Sequence, residues 1–167
     1  RDRFTKASEL QPGFAEIELR LAALDYASGQ HKEAAGRLKA YLGRVPGDLH
    51  AIIDSAMVDI TQGLFWKAEE ALKKALDATG EPLVGMRARL GLGSIEELRG
   101  NLPQAEAHYR SAVNLAESNP LASLMLANIL VGQGRTDESA ELVAAVRSDY
   151  VDSQALFGVC SRLQALI

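Results

Sequence analysis

Glu106, His108 and Tyr109 place a carboxylate, an imidazole and a phenol within four residues of the stretch GNLPQAEAHYRSAV. General acid–base catalysis is assembled from such groups when they share one proton-transfer geometry. The other histidines, His31 and His50, form no HxxxH or HExxH pair, so no helix face carries zinc-ligand spacing. The segment GLGSIEELRG has glycines but neither a preceding strand nor the Gly-x-Gly-x-x-Gly spacing that cradles a dinucleotide. Asp25, Asp59 and Glu96 are a candidate acidic column, and the single cysteine, Cys160, excludes an internal disulfide. Whether any of these residues does chemistry depends on the elements that hold them.

Those elements are expected to be helical. The 167 residues are 47% hydrophobic, rich in Ala and Leu, with no alternating runs of Val, Ile and Thr. The formal net charge is −4 and no Lys/Arg block exceeds two neighbours, which argues against nucleic acid as a partner. No apolar run approaches the roughly 20 residues that cross a bilayer, so no membrane insertion of this segment is expected. The chain opens RDRFTKASELQPGF and stops at SRLQALI inside an apolar pattern, the ends expected of a piece of a longer protein. The compartment stays open.

Self-similarity decides the architecture. GNLPQAEAHYRSAV at Gly100 has copies in GQHKEAAGRLKAYL at Gly29, GLFWKAEEALKKAL at Gly63 and GRTDESAELVAAV at Gly134, spaced by 34, 37 and 34 residues. Five residues after each Gly stands Ala34, Ala68, Ala105 or Ser139, and four later a large residue, Leu38, Leu72, Tyr109 or Val143. Seven residues before each Gly stands a small one, Ala22, Ala56, Gly93 or Ala127. Small residues allow two helices to approach closely, and the large one fills the gap beside them. The glycine suits a left-handed helix end, and Pro103 suits a first helical turn.

With these positions matched, the sequence resembles the tetratricopeptide repeat family, in which about 34 residues form a helix, a turn and a second helix. The resemblance implies an all-α fold, a right-handed α-solenoid of stacked antiparallel helix pairs. The repeats are divergent, since Glu18, Ile52, Arg89 and Ser123 replace an aromatic of the first helix. Residues 1–13 are expected to end a preceding repeat. Full repeats are expected at 14–47, 48–82, 83–119 and 120–151, with 152–167 the first helix of a further repeat or a cap. The spacing of 37 implies three extra residues in the GEPLVG connection.

In this family the concave surface, lined by first helices, commonly binds peptides or helices of other proteins. The positions carried over are Leu19, Ala23, Tyr26, Ile53, Met57, Ile60, Arg87, Leu90, Ser94, Leu124, Asn128 and Val131. One of them is apolar in every repeat: Leu19, Ile53, Leu90 and Leu124. Such a row is the composition expected for docking an apolar peptide or amphipathic helix; the alternative is that the first helices bury it among themselves. A carboxylate clamp of the chaperone-binding kind is disfavoured, because Leu19, Ala23, Asp54 and Gly91 stand at its positions and only Arg87 fits.

Alignment also weighs the opening residues. His108 is matched with Gly36, Ala71 and Leu142, which share no chemistry with it, so it is read as a solvent-facing or groove-rim imidazole. Tyr109 is read as a core residue, Glu106 as an early-turn acid favoured by the helix dipole, and Cys160 as a buried packing thiol. The acidic column is read as solvated or hydrogen-bonded, and Trp66 equally as an exposed contact residue or an inter-repeat filler. The expectation is a protein-interaction scaffold within a larger chain of bacterial type, with weak resemblance to envelope arrays for exopolysaccharide export or protein sorting. No catalytic residue, metal or cofactor is expected. The alternative is a self-associating array joined through the apolar face of Leu156, Val159, Cys160, Leu163 and Leu166.

Overall fold

The structure, a computed structural model, describes residues 15–116, 119–150 and 153–166; the expected helix within 1–13 lies outside the described residues. Nine α-helices and no strand occur among the described residues. They are α1 (Ala15–Ala27), α2 (His31–Leu42), α3 (Leu49–Thr61), α4 (Phe65–Ala78), α5 (Pro82–Leu98), α6 (Leu102–Leu115), α7 (Pro120–Gly132), α8 (Thr136–Asp149) and α9 (Gln154–Gln164). The chain divides into two compact units, Arg1–Thr79 and Gly80–Ile167. In the first, α1 packs on α2 and α3 on α4, with α2 joining the pairs. In the second, α5 packs on α6 and α7 on α8, α6 joins those pairs, and α9 lies on α8 and α7.

Every helical hairpin turns the same way because every turn carries a glycine where the backbone becomes left-handed. Gly29, Gly63, Gly100 and Gly134 have φ of 73°, 74°, 79° and 76°. Each donates its amide to the carbonyl three residues back, of Tyr26, Ile60, Glu97 or Val131, at 2.9 to 3.0 Å. The following amide, of Gln30, Leu64, Asn101 or Arg135, donates five residues back to Asp25, Asp59, Glu96 or Leu130 at 2.8 to 2.9 Å. The pair of bonds satisfies carbonyls that a helix end leaves open, and a residue with a Cβ would cost about 1–2 kcal/mol in that conformation. The second helices then begin without a side-chain cap, whereas α3, α7 and α9 are capped by Asp48, Asn119 and Ser153.

In each hairpin a buried small residue of the first helix recurs with a buried large one of the second. Ala22, Ala56 and Ala127 accompany the buried Leu38, Leu72 and Val143, while Gly93 accompanies the buried Tyr109. The substitution of glycine for alanine has a steric cause. A Cβ added to Gly93 would lie 2.7 Å from Cδ1 of Tyr109 and nearer still to Cε1, so the ring occupies the volume of the missing methyl. The core of the first unit gathers Ala22, Ala34, Leu38, Tyr41, Ala51 and Val58. In the second unit Tyr109 sits in one cluster with Met86, Leu90, Ala112, Leu126 and Leu130, and a further cluster joins Leu124, Ala127, Val143, Val146, Cys160 and Leu163.

Two expectations are corrected. The three extra residues do not lengthen a loop: α5 runs 17 residues where α1, α3 and α7 run 13, so the insertion is absorbed as one more helical turn opening on Pro82. The apolar face of α9 is not left open either. Cys160 and Leu163 are buried against α7 and α8, Leu156 and Val159 pack beside them, and only Leu166 is exposed. The preceding pair covers the face because a first helix has the same apolar stripe whether or not its own partner follows.

Two outcomes test this packing. Gly93→Ala should destabilise the chain by ~1–3 kcal/mol through overpacking, although alanine is the better helix former. Combined with Tyr109→Leu it should recover part of that loss in a urea double-mutant cycle, and additive effects would refute the steric pairing. Asp48 accepts from Tyr41 Oη at 2.7 Å and from the amides of His50 and Ala51 at 2.9 and 3.2 Å. Burial opposes its ionisation, but these bonds hold its carboxyl below the usual carboxylate range, and the Tyr41 phenol is pushed up to about 12, first by its bond to Asp48. With its folded-state pKa depressed, the stabilisation from Asp48 is complete above about pH 4 and is lost as pH falls through the depressed value. The stability difference between the wild type and Asp48→Asn should therefore shrink in acid; a difference independent of pH would exclude this role.

Candidate functional site

The three residues that suggested catalysis point to three separate sets of partners. Tyr109 is fully buried; its hydroxyl donates to Oε2 of Glu97 at 2.7 Å and lies 3.3 Å from Oγ of Ser94. Burial pushes its pKa well up; the bond to Ser94 opposes that shift and the Glu97 carboxylate adds to it, so the phenol keeps its proton. Glu106 belongs to an ion network between α6 and the start of α8. It accepts from Arg135 at 2.7 Å and Arg110 at 2.8 Å, and both arginines also bond Glu138, at 2.6 and 3.0 Å. Burial opposes its charge, yet the two guanidinium groups hold its carboxyl below the usual range. It stands in the second turn of α6 rather than the first, so inter-repeat pairing replaces the expected helix-dipole role.

His108 is half-buried, with Nδ1 3.4 Å from Nη1 of Arg89. Its counterpart in the first repeat is Arg37, not Gly36, since Arg37 directly precedes the buried Leu38 as His108 precedes Tyr109. Arg37 donates to Asp25 at 2.8 Å and Glu18 at 3.1 Å, so this place on the second helix reaches back to the first. The acidic column is hydrogen-bonded residue by residue. Asp25 holds Arg37, Asp59 holds Lys67 at 2.9 Å, and Glu96 holds Arg99 and Asn101 at 2.6 and 2.7 Å. An acid near a helix C-terminus is unfavourable to the helix dipole, and each pairing offsets that cost with a different donor. Sequence spacing alone did not reveal these donors, because they stand at different places in each repeat.

Among the described residues no group of three or more His, Cys, Asp or Glu could hold a metal ion, and no helix is long and apolar enough to cross a membrane. Cys160 is a buried packing thiol among Leu124, Val143 and Leu163. Trp66 is 70% exposed, which selects the exposed of its two readings. A groove of about 630 Å³ lies in the first unit between Leu49, Ile52, Lys67, Ala71, Lys74 and Ala78; its lysines are already paired with Asp59 and Glu70.

The first-helix positions divide into a packed set and an accessible set. In the first unit Ile53 and Ile60 are buried, Leu19 and Met57 are half-buried, and Ala23 and Tyr26 are exposed, with the Tyr26 ring edge-on to His31 at 5.4 Å. In the second, Leu90 and Leu124 are buried, Arg87, Ser94 and Val131 are half-buried, and Asn128 is exposed. The row expected to face an open groove is thus largely a packing seam, with Ile53, Leu90 and Leu124 only 1%, 7% and 6% exposed. Leu90 packs with Met86 and Leu126, and Leu124 with Val143 and Cys160, as befits a position that neighbouring helices ~8–10 Å apart close over. Leu121, at the place of Arg87 on α7, is 53% exposed.

Comparison with known proteins accords with the repeated hairpin. Two tetratricopeptide repeat family models match, over residues 54–120 and 98–163. Cellulose synthase operon protein C of Pseudomonas fluorescens (strain SBW25) is 28% identical over 152 residues, covering 86% of this chain; the chain spans 12% of that relative's length. Among solved structures, PilW, a type IV pilus biogenesis factor, superposes with a TM-score of 0.69 at 22% identity over 95% of this chain and 72% of its own. PilF of Pseudomonas aeruginosa gives 0.69 at 17% identity over 98% and 73%. The Cut9–Hcn1 hetero-tetramer of the APC/C gives 0.75 at 14% identity over 96% and 32%. At such identities the structural likeness speaks for the fold alone, an α-solenoid. With its left-handed glycine turns, its small-to-large contacts and these matches, the chain belongs to the tetratricopeptide repeat family.

Proposed function

We propose that this chain is a non-enzymatic docking segment of a larger tetratricopeptide repeat protein, and that it holds a partner protein on the accessible side of its first helices. The family's fold is that of a protein–protein interaction scaffold. The observation that carries the reading is the division among first-helix positions. Ala23, Tyr26, Leu121 and Asn128 stay open to solvent, while the groups able to do chemistry, Glu106 and Tyr109, are held in structural bonds. Half-buried apolar residues accompany them in each unit, Leu19 and Met57 in the first and Val131 in the second. The likeness to cellulose synthase operon protein C supports a setting in exopolysaccharide export, with the partner a protein of that machinery.

A photo-crosslinking amino acid placed at Tyr26 or Asn128 of the full-length parent protein in its own cells should capture a component of the exopolysaccharide machinery. The same group at Lys39 or Glu141, exposed on second helices, should capture it far less. Equal yields from the two sets of positions would refute docking on the first helices. Capture of proteins unconnected with exopolysaccharide would refute the setting while leaving the docking face in place.

A further inference from the structure

One place in the repeat carries a different chemistry in every copy. Eleven residues before each turn glycine the first helix has Glu18, Ile52, Arg89 or Ser123, and eight after it the second helix has Arg37, Ala71, His108 or Leu142. In the first repeat the two close an ion pair, Arg37 Nη1 donating to Glu18 Oε2 at 3.1 Å. In the second both are apolar and line the groove of the first unit. In the third the first helix supplies the cation instead, and Arg89 Nη1 stands 3.4 Å from Nδ1 of His108. Both residues are half-buried. Arg89 forms no ion pair with any described residue, and its Nε is buried without an acceptor among them. The acids within α5 and α6 are bonded elsewhere: Glu96 to Arg99 and Asn101, Glu97 to Tyr109, Glu106 to Arg110 and Arg135. A guanidinium withdrawn from water carries a desolvation cost that an opposite charge or hydrogen-bond acceptors must offset. A buried donor without an acceptor in a native fold marks a place for a water or an ion.

We propose that the seam between α5 and α6 at Arg89 and His108 binds a small carboxylate. The anion takes the part that Glu18 has in the first repeat. Its oxygens accept from the guanidinium, whose planar fork matches a carboxylate, and His108 is the polar contact beside it. A single negative charge neutralises the single guanidinium, whereas a phosphate dianion would leave excess charge half out of water, which selects against it. Gln104 and Ser111, one turn to either side of His108 on α6, add uncharged donors on the same strip of the helix. The seam shares no residue with the docking positions proposed above, and its ligand is a free anion rather than a protein segment.

The test titrates the isotope-labelled 167-residue chain with sodium acetate, exchanged for sodium chloride at constant ionic strength, and follows the imidazole magnetic-resonance signals of its three histidines. The His108 signals should shift and saturate with a Kd on the order of 1–10 mM, the range open to so small a ligand, while those of His31 and His50 stay in place. Sodium phosphate should need roughly tenfold more to produce the same shift. Arg89→Gln should weaken the acetate response roughly tenfold or more, because a charge-assisted bond is replaced by a neutral one. Thermal unfolding supplies a second measurement. Acetate should raise the midpoint of the wild type more than that of Arg89→Ile with His108→Ala, which rebuilds the Ile52 and Ala71 pair that the second repeat already accommodates. His108→Glu, which supplies a carboxylate from α6 itself, should abolish that excess. A His108 shift that does not saturate or persists unchanged in Arg89→Gln, phosphate as effective as acetate, or an equal midpoint rise in the rebuilt pair would each overturn the proposal. None of these measurements bears on docking at the first helices, which stands or falls by its crosslinking.

Discussion

The structure depends on the fit between one small and one large residue across each hairpin. Two helices approach closely only where a side chain is nearly absent, and the space beside that approach has to be filled at crystal-like density. Leu38 above Ala22 and Val143 above Ala127 meet this requirement with an alanine; Tyr109 needs a glycine at position 93 because its ring takes the volume of the methyl. The glycine turn complements this fit. By closing two hydrogen bonds at the end of each first helix, Gly29, Gly63, Gly100 and Gly134 fix the direction in which the second helix returns, so the large residue arrives over the small one.

Polar groups follow from the same geometry. An acid stands two residues before the end of the first helix in three of the four repeats, where the dipole disfavours it, and the fold supplies a cation each time: Arg37, Lys67 and Arg99. The network of Glu106, Arg110, Arg135 and Glu138 ties α6 to α8, and Tyr41 and Asp48 tie the end of α2 to the start of α3. Residues that read as a catalytic cluster in one dimension are thereby distributed among structural bonds. The docking proposed above falls on surface that packing does not consume: a few small, polar or half-buried positions on the first helices.

The repeat, the turn and the core residues were legible in the sequence because each is a local requirement repeated at one spacing. Gly29 and its three counterparts, the four small residues and the four large ones stand where register places them. Of the partners of Glu106, Arg110 stands at the ordinary helical spacing of four, but Arg135 was not legible, since it lies 29 residues away and belongs to the next pair. The fate of the insertion was not legible either, because GEPLVG suits a loop as well as a helix that opens on Pro82.

The candidate docking positions divide along the same line. The sequence determined that Leu19, Ile53, Leu90 and Leu124 share one place in the repeat and are apolar, which follows from helical periodicity alone. Only the tertiary structure decided that Ile53, Leu90 and Leu124 are enclosed and that Tyr26, Leu121 and Asn128 are open. Periodicity says which residues share a face of a helix. How closely the neighbouring helices stand over that face is set by the sizes of side chains distant in sequence, and that separation is what turns an apolar row into a groove or a seam.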